Sequence, residues 1–281
     1  MNTSSPLVSA EWLAERLNQP DTRIADASWY LPQAGRNAKA EYAAAHIPGA
    51  VFFDIDDLSD ETSPLPHMLA PAAKFAERMR RLGLGGDDLI VVYDGSGLYS
   101  SPRAWWMLRA MGHRNVFVLD GGLPKWRREG CPVEDLRVQP RRRDFVAHPD
   151  HAILRDLSQM VENLKTRAEQ VVDARGAARF TAAEPEPRAG VRGGHIPGST
   201  NIPYTEFTND DGTLRAPETL RALFRERRGD LSAPLVTSCG SGVTAALAML
   251  ALQIAGAKTV ALYDGSWAEW GAHAKAPVET G

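Results

Sequence analysis

The sequence predicts an α/β protein of two tandem domains, each a parallel sheet with helices on both faces. Three observations carry that expectation. The chain is written twice, its apolar runs have the length of buried strands, and helical runs lie between them.

The duplication rests on paired segments that recur in one order. IADAS at Asp26 answers VVDAR at Asp173, and HIPGAVFFDI at His46 answers HIPGSTNIPY at His195. LAPAAKFAERMRRLG answers LRAPETLRALFRERRG, with Pro71 and Pro217 at an expected first helical position. LIVVYDGSG answers PLVTSCGSG, and MGHRNVFVLDGG answers AGAKTVALYDGS. Both copies then reach a tryptophan, Trp126 and Trp270. An offset of roughly 145 residues is too long for a solenoid unit and marks two homologous domains. The expected boundaries are 1–137 for the first domain, a charged, proline-containing linker at 138–150, and 151–281 for the second.

Within the second copy, VENLKT belongs to a helical stretch and EQVVDAR to a short apolar strand. Pro217 to Arg228 predicts a helix with Leu220, Leu223 and Phe224 on one face. PLVTS predicts a buried strand ending at Cys239, and Val243 to Ala255 a helix closed by Gly256. TVALYDG is the next strand. The tryptophans Trp105, Trp106, Trp126, Trp267 and Trp270 read as core or domain-interface aromatics. His46 and His195 are expected to bond backbone, with Pro48 and Pro197 fixing their turns.

Composition excludes several functions. The 281 residues are 43% hydrophobic and 24% charged, the balance of a soluble globular chain. A net charge of −3 leaves no electrostatic footprint for nucleic acid, and Arg141–Arg143 and Arg225–Arg228 read as solvated runs. No run approaches the roughly 20 apolar residues of a membrane span. Two cysteines, Cys131 and Cys239, make no disulfide framework, and MNTSSPLVSAEWL lacks basic and apolar leader regions. The expected location is therefore cytoplasmic and reducing. No Cys/His set has zinc-ligand spacing, and Gly-Ser-Gly at 95–97 lacks the Gly-Lys-Ser/Thr of a phosphate loop, so no metal or cofactor is expected.

The chemistry concentrates at Cys239-Gly240-Ser241-Gly242-Val243-Thr244, between a strand end and a helix start. Glycines let the backbone amides turn toward one point, and the helix dipole adds positive potential there. Such a loop stabilises an anion, and a thiolate is one. Taken alone, the pattern also suits a small buried residue at a tight turn. The duplicate argues for the nucleophile: Asp94 stands at the matching position, so the first copy keeps the scaffold without the thiol.

With these motifs in view, the chain resembles the rhodanese-like sulfurtransferases over nearly its whole length, from ADASWYLP to YDGSWAEWG. The segments GRNAKAEYAAAHIPGAVFFDID, TSPLPHML, GLYSSPRAWWMLRAMGH and EPEPRAGVRGGHIPGSTNIPY carry the resemblance together with the CGSGVT loop. It implies that Cys239 takes sulfur from 3-mercaptopyruvate, forms a persulfide, releases pyruvate and passes the sulfur to a thiol such as thioredoxin or a small thiol, or to cyanide. Gly240, Gly242, Val243 and Thr244 would form the loop that holds the sulfur anion. Arg179 and Arg188 would bind the substrate carboxylate and carbonyl. The residues alone do not choose among the four local arginines, and Arg175 and Arg192 read as surface residues. Ser241, Asp56 and His67 would form a proton relay.

Three other readings compete. Thiosulfate:cyanide sulfur transfer would favour basic residues after the cysteine, where neutral Gly240 and Ser241 stand. A cysteine-dependent phosphatase would place an arginine where Ala245 stands. A non-enzymatic protein-binding module suits the first domain, with Asp94, but not the second, which keeps its thiol.

Overall fold

The structure, a computed structural model, describes residues 5–281, and the chain divides into two compact units. The first unit comprises the chain up to Asp60, Leu69–Asp150 and Asn209–Leu214. Its strands are β1 (Leu7–Val8), β2 (Thr22–Asp26), β3 (Val51–Phe52), β4 (Leu89–Tyr93) and β5 (Val116–Leu119). They form one parallel sheet in the order β1-β5-β4-β2-β3. The second unit comprises Glu61–Met68, His151–Thr208 and Arg215–Gly281. Its strands are β6 (Leu154–Arg155), β7 (Gln170–Asp173), β8 (Thr200–Asn201), β9 (Leu235–Ser238) and β10 (Val260–Tyr263). They repeat the same topology, β6-β10-β9-β7-β8, all parallel. The expected α/β class and the duplication are both realised.

The central strands, LIVVY in β4 and LVTS in β9, are buried apart from a half-buried Leu89, as central strands of a parallel sheet covered on both faces must be. Helix Val243–Ala255 is apolar all round and almost wholly buried, so it is a core helix. Helices Ala72–Leu82 and Pro217–Glu226 each bury one stripe, Phe75, Ala76 and Met79 in one and Leu220, Leu223 and Phe224 in the other. The second ends two residues before the expected Arg228, because Arg228 turns left-handed and Gly229 donates back to the Phe224 carbonyl. Pro71 is the cap residue before its helix, and Pro217 opens its own. The five tryptophans are fully buried. Trp126 and Trp270 are held alike, each donating its indole N–H to a proline carbonyl, Pro132 and Pro277.

The charged stretch 138–150, expected as a linker, packs on the first unit. Gly86 donates to the Asp144 carbonyl at 2.8 Å, His148 to Met111 at 2.9 Å and Asp150 to Ala110 at 2.7 Å. Phe145 is buried against Phe75 and His113. One buried aromatic and backbone pairing outweigh the solvated arginines around them. Each unit also incorporates a short segment from the other half of the chain. In the first, Leu214 donates to Asp120 and Arg128 to the Asp211 carbonyl. Among the described residues, no helix is long and apolar enough to cross a membrane, and no group of three His, Cys, Asp or Glu side chains converges as a metal site.

The two sheets differ at one buried carboxylate. Asp173, ending β7, is covered by the Arg175 guanidinium. Asp26, ending β2, has no ion pair among the described residues, and burial pushes its pKa from 3.8 to about 6 despite bonds from Ser28 and Tyr93. The folded state therefore holds this proton more tightly than the unfolded chain. The resulting stabilisation is full below pH 3.8 and lost as pH rises through about 6. A shift of about two units corresponds to roughly 3 kcal/mol of charge burial at neutral pH. Asp26→Asn keeps the shape and an acceptor for the Ser28 amide, so it should raise stability by up to about 3 kcal/mol at pH 8 and by little at pH 4. Urea unfolding at the two pH values checks this; an equal effect at both would count against it.

Candidate active site

Cys239 follows β9 and is 2% exposed. The loop carbonyls are turned away from its interior and tied down. Cys239 O accepts from Trp267 N and Gly240 O from Ala268 N, both at 2.9 Å. The Cys239 amide donates to Ser266 Oγ at 3.3 Å, and that hydroxyl donates to the Tyr263 carbonyl at 2.8 Å. Gly242 takes φ 82°, a conformation that glycine adopts without strain, and caps helix Val243–Ala255 with no side-chain cap bond. Among the described residues, none of the amides of residues 240 to 244 donates to a protein acceptor. Free N–H groups at the start of a 13-residue helix make an anion site.

The first unit shows what such a loop holds. Asp94, which follows β4 as Cys239 follows β9, is fully buried. Its carboxylate accepts from the amides of Ser96 (2.8 Å), Ser100 (2.9 Å) and Ser101 (2.8 Å), and from the Ser101 hydroxyl at 2.7 Å. The duplicate carries its own anion; the second unit presents the cradle with a thiol.

Arg179 lies against this loop. A Cβ placed on Gly240 would sit 3.1 Å from Arg179 Nη2, close enough that any larger side chain there would press on the guanidinium. Short helix Ala177–Phe180 positions it, anchored by Phe180 stacked on His195 at 3.7 Å and by His195 Nδ1 on the Phe180 carbonyl at 2.9 Å. Glu186, with a buried carboxylate, accepts from Arg179 Nε and Nη2, leaving Nη1. The other oxygen-facing partner of Glu186 is Arg175 Nη1, at 2.7 Å.

Arg175 corrects an expectation. Read as a surface residue, it is 2% exposed, donates to both oxygens of Asp173 and to the Gly194 carbonyl, and lies over the Trp267 ring at 4.3 Å. A guanidinium is buried here because every face of it finds an acceptor or a π-face. Arg192 keeps its exposed position but spends its guanidinium on the Gly271, His273 and Ala276 carbonyls.

The remaining expected residues are placed as follows. His67 Nδ1 is 2.9 Å from Ser241 Oγ within the second unit, both side chains buried. His67 adopts φ 61°, a left-handed conformation held by its surroundings. Thr244 and Val243 are buried in the first turn of the core helix. Arg188 is half-buried in the 181–194 loop and makes no hydrogen bond or ion pair among the described residues. Asp56 belongs to the first unit, where it accepts from Trp29 Nε1 at 3.2 Å. Sequence reading missed Glu186 and Ser266. Glu186 lies in the EPEPRAG segment, two residues from Arg188, and the sequence carried no signal for its role, because its partners Arg175 and Arg179 are brought to it only by the fold.

The rhodanese-like domain model matches residues 9–129 and 155–273. The human 3-mercaptopyruvate sulfurtransferase is 50% identical over 270 residues, covering 94% of this chain and 91% of that protein. The thiosulfate sulfurtransferase of Cricetulus griseus is 45% identical over 281 residues, covering 98% and 94%. Among solved structures, SseA from Escherichia coli, described as a 3-mercaptopyruvate sulfotransferase of rhodanese fold, superposes with TM-score 0.87 at 43% identity, covering 94% of this chain and 99% of that one.

Proposed function

The chain belongs to the rhodanese-like sulfurtransferases and moves sulfur from 3-mercaptopyruvate, and we propose that Cys239 carries that sulfur as a persulfide. The observation that supports this most is the pair of loops: free amides around Cys239, and the same position filled by a carboxylate in the duplicate. The thiolate attacks the substrate sulfur, the S–S bond forms, the C–S bond breaks, and the electron pair leaves on the enolate of pyruvate. A proton then converts the enolate to pyruvate. A thiol acceptor, thioredoxin or a small thiol, attacks the outer sulfur and returns Cys239 to the thiolate; cyanide would leave as thiocyanate. The unbonded loop amides stabilise the anionic sulfur at each stage. Cys131 is a poor alternative nucleophile, because burial, and secondarily Glu129, push its pKa up.

We propose His67 and Ser241 as a proton path, a reading that their 2.9 Å contact supports, with Asp56 as the third member. Arg179 and Arg188 are proposed to hold the substrate carboxylate and carbonyl. Glu186 presents Arg179 with Nη1 open, and Arg188 has no protein acceptor among the described residues to give up. Arg179→Lys removes the planar fork, so KM for 3-mercaptopyruvate should rise about tenfold or more with a smaller change in kcat. Steady-state kinetics separates the two; an unchanged KM would remove Arg179 from the substrate site.

The location we propose is cytoplasmic, supported by two free cysteines and no disulfide. Intact-protein mass spectrometry after mixing with 3-mercaptopyruvate tests the persulfide: one added sulfur atom, mapped to Cys239 and removed by a thiol, is expected. An unmodified protein that still turns over would sink it. Thiosulfate is the second donor to compare, given the thiosulfate sulfurtransferase among the relatives. The neutral Gly240 and Ser241 withhold charge-assisted bonds of about 1–3 kcal/mol from a compact dianion. A higher kcat/KM for 3-mercaptopyruvate is expected, and a preference for thiosulfate would overturn that argument.

A further inference from the structure

The first unit has a cavity where the second has an arginine. Asp26 and Asp173 are equivalent: each accepts the amide of the residue two further on, Ser28 or Arg175, at 2.9 Å. Ala27 and Ala174 donate alike to the carbonyls of Tyr93 and Ser238 at 2.8 Å. Leu123 and Trp267 are equivalent too, donating to the carbonyls of Asp94 and Cys239. Ser28 thus stands for Arg175 and Leu123 for Trp267. Both replacements are smaller, and a cavity of about 360 Å³ opens there, lined by Asp26, Ser28, Tyr30, Tyr42, Leu123 and Arg127 among others.

The charges around this cavity are specific. Asp26, 1% exposed, lies among the lining residues with no protein cation paired to it among the described residues. Arg36 is committed elsewhere: it pairs with Glu41, donates to Ser96 Oγ and the Gly95 carbonyl, and covers the Tyr30 ring at 3.8 Å. The Tyr30 and Tyr42 hydroxyls are spent on Glu41 and the Ala50 carbonyl, and each ring has one face already covered, Tyr30 by Arg36 and Tyr42 by His46 stacked at 4.3 Å. Arg127 is exposed, and its guanidinium makes no hydrogen bond or ion pair among the described residues. Arg36 is the main cation on Glu41 and Arg127 adds only a weaker charge effect there, so the cavity keeps a buried anion, Asp26, and a solvent-exposed cation, Arg127, that forms no ion pair among the described residues.

We propose that this cavity binds a small guanidino acid, its guanidinium seated on Asp26 as Arg175 is seated on Asp173, and its acidic group on Arg127. Planar bidentate pairing suits a buried carboxylate that has no cation among the described residues, as the Asp173–Arg175 pair shows in the second unit. Burial sets the Asp26 pKa near 6 in the empty cavity, with Ser28 and Tyr93 lowering it and Asp94 raising it, so affinity should fall as pH drops through 6.

Calorimetric titration of the full chain tests this with L-arginine as the probe and citrulline, which has the same length but an uncharged head. At pH 8 arginine should bind with a Kd of about 1 mM or tighter, and citrulline at least about tenfold more weakly. Asp26→Asn should cost arginine at least about tenfold. The S28R/L123W chain, which rebuilds the second unit's arrangement, should lose arginine binding as well and gives a second, independent test. Absence of arginine binding, equal affinity for citrulline, or binding unchanged in these variants would each overturn the proposal.

Discussion

Cys239→Ser should lower kcat/KM for 3-mercaptopyruvate by at least about a thousandfold while leaving the fold intact. A serine hydroxyl is a far weaker nucleophile at neutral pH, and the loop amides stabilise an anion that serine scarcely forms. The fold should survive because the position is set by backbone. Its carbonyl is held by Trp267 N and its amide by Ser266 Oγ, and the side chain is a small one after a buried strand. Substrate binding should persist, since Arg179 and its Glu186 clamp are untouched. The measurement is paired: turnover with a thiol acceptor, and the mass of the protein after exposure to donor. Turnover near the unsubstituted level, or a sulfur adduct that moves to Cys131 with activity retained, would place the chemistry elsewhere.

Arg175→Ala should destabilise the protein by about 3–5 kcal/mol, the cost of breaking a buried ion pair from one side. The substitution strips the charge from between Asp173 and Glu186, both almost fully buried, and leaves the Gly194 carbonyl and one face of Trp267 without their partner. Activity should fall too, because Glu186 also holds Arg179 against the cysteine loop. A triple change, D173N/R175M/E186Q, removes the charges together and should recover most of the stability but not the activity. Urea unfolding of the single and triple variants gives the comparison. A loss under about 1 kcal/mol for Arg175→Ala would mean that the guanidinium is as dispensable as a surface one.

Much of this was legible because it is local. The tandem repeat, the strand runs and the core helix after Gly242 follow from apolar period and turn chemistry, and they appear where the sequence puts them. The cysteine loop was legible because its glycines and the Asp94 substitution sit at matched positions of two copies. The arginines were not. Arg175, Arg179, Arg188 and Arg192 lie within one short stretch with similar neighbours, yet one is buried on two carboxylates, one faces the loop, one makes no bond among the described residues and one ties down carbonyls of the C-terminal segment. The stretch 138–150 departs from a linker for a related reason: Arg142 and Arg143, though exposed, reach back to Glu77 and to buried Asp88, and its backbone and Phe145 pack inward.

By itself the sequence determined the fold class, the duplication, and which copy keeps a thiol at the strand-to-helix turn. These depend on periodicity and on residue types that a local backbone demands. Tertiary structure alone decided which arginine is buried, that Glu186 clamps two of them, that His67 meets Ser241, and that a carboxylate at the end of β2 finds no cation among the described residues where its twin at the end of β7 has one. The reason is that the state of a charged side chain is set by partners distant in sequence. Burying a charge is costly unless those partners converge, and only the folded chain shows whether they do.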